Sequence, residues 1–348
     1  MIILSTDREL NTAEWDRIFE ELGLTEKLDG AGSVVIKPNF AAGSYVDPKT
    51  HVISDLSLLR SCITYIAGRN EKAEIYVAES DSTGYGFAYL KFEHLGLPGS
   101  LNLPPEVIGR VRLLDLSRDR LVKIENPAFR LYKSVDRQLW LSKTLADAGF
   151  TVNLGNLKTH AVTGYTGACK NLFGCLPDSD KSVNHPRISK VVHDLVLAIR
   201  PDLNVVDAFY GMEKNGPVQG IDVDSGYRVF SNDAFEADVY AAKTVGYPSR
   251  KVGYLRLLGK TLGIGLDSDA QLVRKYKKPG LFLRFMNSVG VGIQGFGQAI
   301  ASFGHRIHSC PSFSVLMITL FRPVLLKLFD YEKLKSWKRR FMKLRLLS

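Results

Sequence analysis

Cysteine is scarce in this chain: four in 348 residues, at positions 62, 169, 175 and 310. No two form a C-x-x-C pair, so the spacing encodes neither a zinc ribbon nor a ferredoxin-type cluster, and no iron–sulfur cluster is expected. Equally absent are the phosphate-binding G-x-x-x-x-G-K-[ST], the zinc-protease H-E-x-x-H and the nucleophile elbow G-x-S-x-G. The string Gly290-Val291-Gly292-Ile293-Gln294-Gly295 formally matches G-x-G-x-x-G. It lacks a preceding strand and an acidic residue about 20 positions on, so a Gly-spaced helix packed close to a neighbour or a membrane is the better reading. The start, MIILSTDREL, has no basic n-region, long apolar run or small-residue cleavage site. No signal peptide is expected, and the thiols are expected reduced in a cytoplasmic protein. The apolar run from Phe313 to Phe321 is broken by Arg322 and Pro323, well short of the roughly 20 residues that span a bilayer.

What is present describes a folded chain. A 45% hydrophobic and 24% charged composition supports a proper core rather than disorder. The net charge of +10 is unevenly placed. From Arg322 onward nine Lys/Arg face two acids, a balance of +7, which leaves +3 for everything before it. Attraction to polyanions or membranes therefore belongs to the tail, and no nucleic-acid partner is expected.

Four short apolar runs read as buried parallel strands: Ser33–Ile36, Ala73–Ala78, Phe150–Leu154 and Leu203–Val206. Helical spacing appears between them over Val52–Gly68, Ile188–Arg200 and Asp233–Gly246, the last with Asp233 as N-cap and Gly246 as stop. Alternating strands and helices predict an α/β fold with a mostly parallel sheet flanked by helices. The division expected is an α/β domain over 1–268 and a C-terminal helical extension over 269–348.

Each strand runs into a polar or Gly-rich segment, and in open parallel sheets ligands bind outside the carboxyl ends of the strands. Lys37-Pro38-Asn39 follows the first strand and Glu79-Ser80-Asp81 the second. Leu157-Lys158-Thr159-His160 follows the third, and Asp207 with Gly211-to-Pro217 the fourth. The richest stretch is GNLKTHAVTGYTGACKNLFGCLPDSDKSVNH, residues 155–185. Its small residues let backbone approach a ligand closely. Lys170 falls at the expected start of a helix, where free N–H groups favour an anion. Lys158, Lys170 and Lys181 suit phosphate or carboxylate, while His160 and His185 suit proton transfer or metal ligation. Catalytic roles are expected for His160, Lys170 and Lys158. Cofactor contacts are expected from Lys170, Lys37, Asn39, Gly164, Gly167 and Asn171, and metal contacts from His185, Asp207 and Glu213. Glu79, Ser80 and Asp81 read first as helix caps. Asp238 reads as a cap or solvated helix residue, His193 as a solvated surface residue, and His305 and His308 receive no role.

The order of motifs resembles the domain-of-unknown-function 362 (DUF362) family: Lys37-Pro38-Asn39, the Glu79-Ser80-Asp81 loop, LKTH at 157–160, GACKNLFG at 167–174, His185, DAFYGMEKNGPVQG at 207–220 and FSNDAFEADVYAA at 230–242. The resemblance covers roughly residues 30 to 265 and implies a fold more than a reaction. Many members look like iron–sulfur proteins with an added ferredoxin module, a pattern from which this chain departs. More distantly, His160, Gly164-Tyr165-Thr166-Gly167, Lys170, Gly174 and His185 resemble the loop of lactate racemases that use a nickel-pincer nucleotide. That likeness implies an acid/base role for His160, a cofactor tether at Lys170 and nickel ligation by His185, with His94 at a compatible distance for a second acid/base histidine.

In the tail, Leu325, Leu328, Tyr331, Leu334, Trp337, Phe341 and Leu344 recur every three or four residues among lysines and arginines. This is either a cationic amphipathic helix lying on an anionic membrane or a helix docked on protein. The reading as a whole is an enzyme acting on a small anionic substrate by racemase, epimerase or redox chemistry at a 2-hydroxy-acid-like carbon, cytoplasmic and peripheral at the inner membrane face through its tail. The alternatives are a metal-dependent hydrolase or transferase, and a membrane-associated anion-binding module without catalysis.

Overall fold

The four apolar runs become four adjacent strands because each is apolar on both faces, and only a sheet covered on both sides buries such a strand. The computed structural model describes residues 1–40, 51–82, 87–134, 137–178, 181–214, 216–218 and 220–280. The tail with its amphipathic pattern, the 290–295 string, Asn215, Cys310, His305 and His308 lie outside the described residues. In chain order the strands are β1 (Ile2–Ser5), β2 (Ser33–Pro38), β3 (Glu74–Glu79), β4 (Val111–Asp115), β5 (Leu121–Ile124), β6 (Lys133–Ser134), β7 (Arg137–Ser142), β8 (Phe150–His160), β9 (Gly164–Thr166), β10 (Leu203–Glu213), β11 (Ile221–Val223) and β12 (Arg228–Ser231). The main sheet runs β1-β12-β10-β8-β2-β3-β4. From β10 to β4 every pairing is parallel, while β12 runs antiparallel to both β10 and β1. Strands β5, β7 and β6 form a small separate antiparallel sheet.

The helices are α1 (Thr12–Glu21), α2 (Thr25–Asp29), α3 (Leu56–Arg69), α4 (Ala88–His94), α5 (Pro105–Ile108), α6 (Lys143–Ala146), α7 (Ala168–Asn171), α8 (Ile188–Ile199), α9 (Ala234–Thr244) and α10 (Gly253–Leu262). Successive strand residues point to opposite faces, which divides the core in two. Val34, Ile36, Val205 and Phe230 pack with α1 and α3. Val35, Val206 and Val229 pack with α7, α8, α9 and α10. Asp55 caps α3 at the Ser57 N–H (2.8 Å), and Asp233 caps α9 at the Glu236 N–H (2.9 Å). Gly246 follows α9 with φ +65°, a conformation that favours glycine.

Two expected loops are strand. Leu157–His160 continues β8 and pairs with β9 in a hairpin, while Asp207–Glu213 continues β10, with a register shift, and pairs with β11. Polar residues hid these extensions, because a strand with Asn156, Lys158 and Asp207 in its interior does not read as an apolar run. Residues past 268 continue along the same body. Val273 N–H donates to Thr244 O (2.8 Å), Tyr276 N–H to Val245 O (3.1 Å), and the Tyr276 side chain is buried.

His193 corrects the sequence reading: it is fully buried, not solvated. Its Nδ1 lies 2.7 Å from Asp194 Oδ1 and its Nε2 2.8 Å from Thr261 Oγ1. Asp194, also buried, accepts the backbone N–H groups of Arg130 (2.7 Å), Leu131 (2.7 Å) and Tyr132 (3.0 Å). One carboxylate thus ties a loop to α8. Asp194→Ala strands three donors and a histidine at once and is expected to destabilise the protein by about 3 kcal/mol or more. Urea unfolding measures it, and a loss below about 1 kcal/mol would show that water substitutes for the carboxylate.

Candidate functional site

Strand order fixes where a ligand binds. From β2 the chain adds β3 and β4 on one side, then returns to add β8 and β10 on the other. The reversal falls between β2 and β8, and the crevice beyond their carboxyl ends is the usual ligand position in open parallel sheets. Here the segment 167–175 crosses that crevice. Asn171 pins it, its Nδ2 lying within hydrogen-bond distance of Asn153 Oδ1 (2.9 Å), Lys37 O (3.1 Å) and Leu154 O (3.2 Å). Asn39 Nδ2 reaches Asn156 Oδ1 (3.2 Å) across the same junction. Both asparagines, expected as cofactor contacts, are thus engaged in holding adjacent strands together.

The other end of the segment is fixed by Asp238, expected as a cap or solvated residue of its own helix. It is fully buried on α9. Its Oδ1 accepts from the Ala168 N–H (2.6 Å) and lies 3.4 Å from Tyr165 Oη, while Oδ2 accepts from the Cys169 N–H (3.1 Å). Burial nevertheless pushes the carboxyl up to about 7. The N–H groups expected to welcome a foreign anion at the start of α7 therefore already hold the protein's own carboxylate. Gly167 is required by this arrangement, since a Cβ there would overlap Asp238 Oδ1. Gly164 has φ +80°, and a Cβ would overlap the Tyr247 hydroxyl. The signal for Asp238 was in the sequence: it shares its helical face with Ala234, Ala241 and Ala242, a run of small residues that invites close packing.

Lysines crowd this end of the sheet, and four have protein oxygens as partners. Lys37 Nζ donates to Glu79 Oε2 (3.1 Å) and to Pro38 O. Lys91 donates to Ser80 O (2.8 Å), and its Nζ lies 3.8 Å from Glu79 Oε1. Lys181 donates to Ser80 Oγ (2.6 Å) and to Asp81 O, and Lys158 to Val52 O. Glu79 is buried among three ammonium groups. Burial alone would raise it, but the charges of Lys37 and Lys91 outweigh burial and hold it below the usual carboxylate range. Its role is ion pairing rather than the capping first expected.

Lys170 is different. It is only half-buried, and its Nζ lies 4.9 Å from the centroid of the Phe173 ring. Among the described residues its ammonium has no hydrogen-bond or ion-pair partner. Burial pushes it down to about 8. Burial also brings Lys158 down to about 7, against the raising effect of Asp222 and Asp207 and with a further push from Lys170. His160 is buried at the end of β8, and its Nδ1 accepts from the Val162 N–H (3.1 Å) and the Thr163 N–H (3.3 Å). Burial first, then the charges of Lys170, His185 and Lys158, hold its imidazole well below the usual range. A neutral ring whose Nδ1 accepts two N–H groups carries its proton on Nε2. The His185 ring lies 5.8 Å from that of Phe173. The fold thus gathers Lys158, His160, Lys170 and His185, and Phe173 joins them although the sequence reading missed it.

The metal set does not gather. Asp207 Oδ1 lies 3.4 Å from Arg228 Nε and accepts the Phe209 N–H (3.0 Å), and burial raises it despite Arg228. Glu213 accepts the Lys277 N–H at 2.9 Å. Among the described residues no three His, Cys, Asp or Glu side chains are grouped to hold a metal ion. The expected nucleotide cradle fits no better: the space beside Gly164 and Gly167 is taken by Tyr247 and Asp238, and His94 ends α4 on the surface.

Fold and site together define an open α/β protein with a basic corner at its topological switch point. The chain belongs to the DUF362 family: the family model, described as a domain of unknown function, matches residues 34–243, well over half of the chain. The likeness to nickel-pincer racemases is not borne out. The chain is also similar to the thylakoid-associated protein sll1697 of Synechocystis sp. (strain ATCC 27184 / PCC 6803 / Kazusa), with 28% identity over 225 residues, 59% of this chain and 65% of that protein. It therefore spans just under two thirds of that relative's length. No helix among the described residues is long and apolar enough to cross a membrane.

Lys158 sets a pH dependence. Its pKa falls from 10.5 unfolded to about 7 folded, so between those values the unfolded chain holds more protons and stability rises with pH. The rise amounts to at most about 1.4 kcal/mol per pH unit for this one group. Lys158→Met is expected to flatten the stability profile between pH 7 and 10.5 in urea titrations. A profile parallel to wild type would mean that Lys158 stays charged in the fold. Separately, Gly167→Ala is expected to cost about 2 kcal/mol or more by driving Asp238 off α7, read as a lowered denaturation midpoint. An unchanged midpoint would show that the cap is dispensable.

Proposed function

We propose that this protein is an enzyme acting on a small anionic substrate at the corner formed by Lys170, His160 and His185. The observation that carries the reading is the local charge pattern: four nitrogen bases converge, and Lys170 has no carboxylate against it among the described residues. An anion is the natural complement of such a spot. Acid–base work at neutral pH needs groups that change or withhold a proton there. Lys170, near 8, exchanges protons in that range, whereas the His160 Nε2–H is a fixed donor for a substrate oxygen. Of the reactions expected from the sequence, proton transfer at a carbon next to a carboxylate is the one these side chains can perform themselves. Lys37, Lys91 and Lys181, paired with the protein, shape the corner.

Small carboxylates such as lactate or glyoxylate are expected to raise the thermal midpoint of the wild type. In Lys170→Ala the apparent affinity should fall about tenfold, equivalent to about 1.4 kcal/mol. Equal stabilisation of wild type and variant would remove Lys170 from the site and overturn the reading.

The tail supports a second property, attachment to anionic membrane surfaces. Its +7 balance and its repeat of apolar residues suit an interfacial helix, and the similar cyanobacterial protein is named as thylakoid-associated. The full chain is expected to co-sediment with phosphatidylserine vesicles, and deletion of Arg322–Ser348 should abolish this. Failure of the intact chain to sediment rejects membrane attachment.

A further inference from the structure

We infer that Lys170 is a carbonyl-capturing amine and that the substrates of this site are 2-oxo acids, held as an imine on Nζ. The inference rests on the anion-site reading above and adds to it a covalent step and a substrate class.

Lys37, Lys91, Lys158 and Lys181 share one end of the sheet with Lys170, and each directs its ammonium at a protein oxygen. Those amines are spoken for. Among the described residues Lys170 alone faces the flat side of Phe173, an arrangement that orients the chain without offering its nitrogen an oxygen acceptor. A free amine near neutrality is what attack on a carbonyl requires, and a desolvated surrounding is how proteins supply one. The segment carrying Lys170 is pinned at both ends, by Asn171 to β2 and β8 and by Asp238 to α9, so the amine is presented from a fixed backbone. The neighbouring ring of His160 has its Nδ1 closed by two backbone N–H groups, which leaves Nε2–H to donate to a carboxylate or carbonyl oxygen. The half-exposed position of Lys170 gives a small molecule access, which the fully buried Lys158 does not offer.

The step balances without a further reactant. The neutral Nζ adds to the carbonyl carbon, opening the C=O bond to a carbinolamine hydroxyl. Loss of that hydroxyl with the remaining nitrogen-bound proton releases one water and leaves C=N. The imine then draws electrons from C3, the carbon on its far side from the carboxylate, so the proton removed in this covalent route comes from C3 and not from the carboxylate-bearing carbon.

Reductive trapping tests this on the full chain. Wild type, Lys170→Ala and Lys170→Arg are treated with glyoxylate and cyanoborohydride, and the modified position is located by peptide mass analysis. Propionaldehyde serves as the neutral control, and circular dichroism confirms that each variant is folded. The expected result is a saturable single adduct on Lys170 in the wild type, absent in both variants. Its yield should rise as pH passes through about 8 and exceed that with propionaldehyde at least about tenfold, an advantage of about 1.4 kcal/mol. Labelling spread over surface lysines, or none at Lys170, overturns the amine assignment. Equal labelling by propionaldehyde overturns the 2-oxo acid class. If glyoxylate still raises the thermal midpoint while no adduct forms, the covalent step fails and the anion site stands. If neither occurs, both readings fall.

Discussion

Taking ammonium groups out of water is the constraint around which this end of the molecule is organised. An ammonium placed at the carboxyl edge of a covered sheet loses its hydration and must find oxygens or shed its proton. Lys37 and Lys91 find Glu79, and Lys181 finds Ser80 and a backbone carbonyl. Lys158 finds one carbonyl at the cost of a depressed pKa. Once those demands are met, little conformational freedom remains in the segments that supply the oxygens. The carboxyl end of the sheet is therefore a rigid polar frame, and Lys170 stands out by lying outside it.

The segment 167–175 shows how a sequence that looks like a ligand cradle serves the fold first. Its glycines make room for Asp238 and Tyr247 rather than for a phosphate. Its helix start is neutralised from within, which removes the anion site that free N–H groups would have made. What the segment delivers is placement: Asp238 at one end and Asn171 at the other set where Lys170 meets Phe173 and His185. The family match covers this whole apparatus, from β2 through α9, while the basic tail lies beyond it.

The four parallel strands were legible because their apolar runs are short, bounded and β-branched, and helices α8 and α9 because apolar spacing and the Asp233 cap announced them. The continuations of β8 and β10 were not, since Asn156, Lys158 and Asp207 carry the wrong polarity for a buried strand. His193 was misread because its neighbours on one side of α8 are polar, and only the approach of Thr261 from α10 shows that this side is covered. The sequence marks Lys158, His160, Lys170, Lys181 and His185 together, and the fold keeps four of them close while Lys181 turns to Ser80 and Asp81. The division of labour inside the set was not legible, because it depends on which nitrogen meets which oxygen.

The sequence by itself determined the α/β class, the position of the candidate segment after the third parallel strand, the lack of a cysteine framework for a cluster and the basic tail. These follow from periodicity, spacing and composition, which are properties of neighbours in the chain. Only the tertiary structure decided that Asp238 caps α7, that Glu79 serves the lysines and that Asp207 and Glu213 turn to Arg228 and Lys277. The absence, among the described residues, of an oxygen partner for the Lys170 amine was decided there too. The reason is physical: hydrogen bonds and desolvation act at about 3 Å between groups that are tens to hundreds of residues apart in the chain, and such contacts exist only once the sheet order brings its strands together.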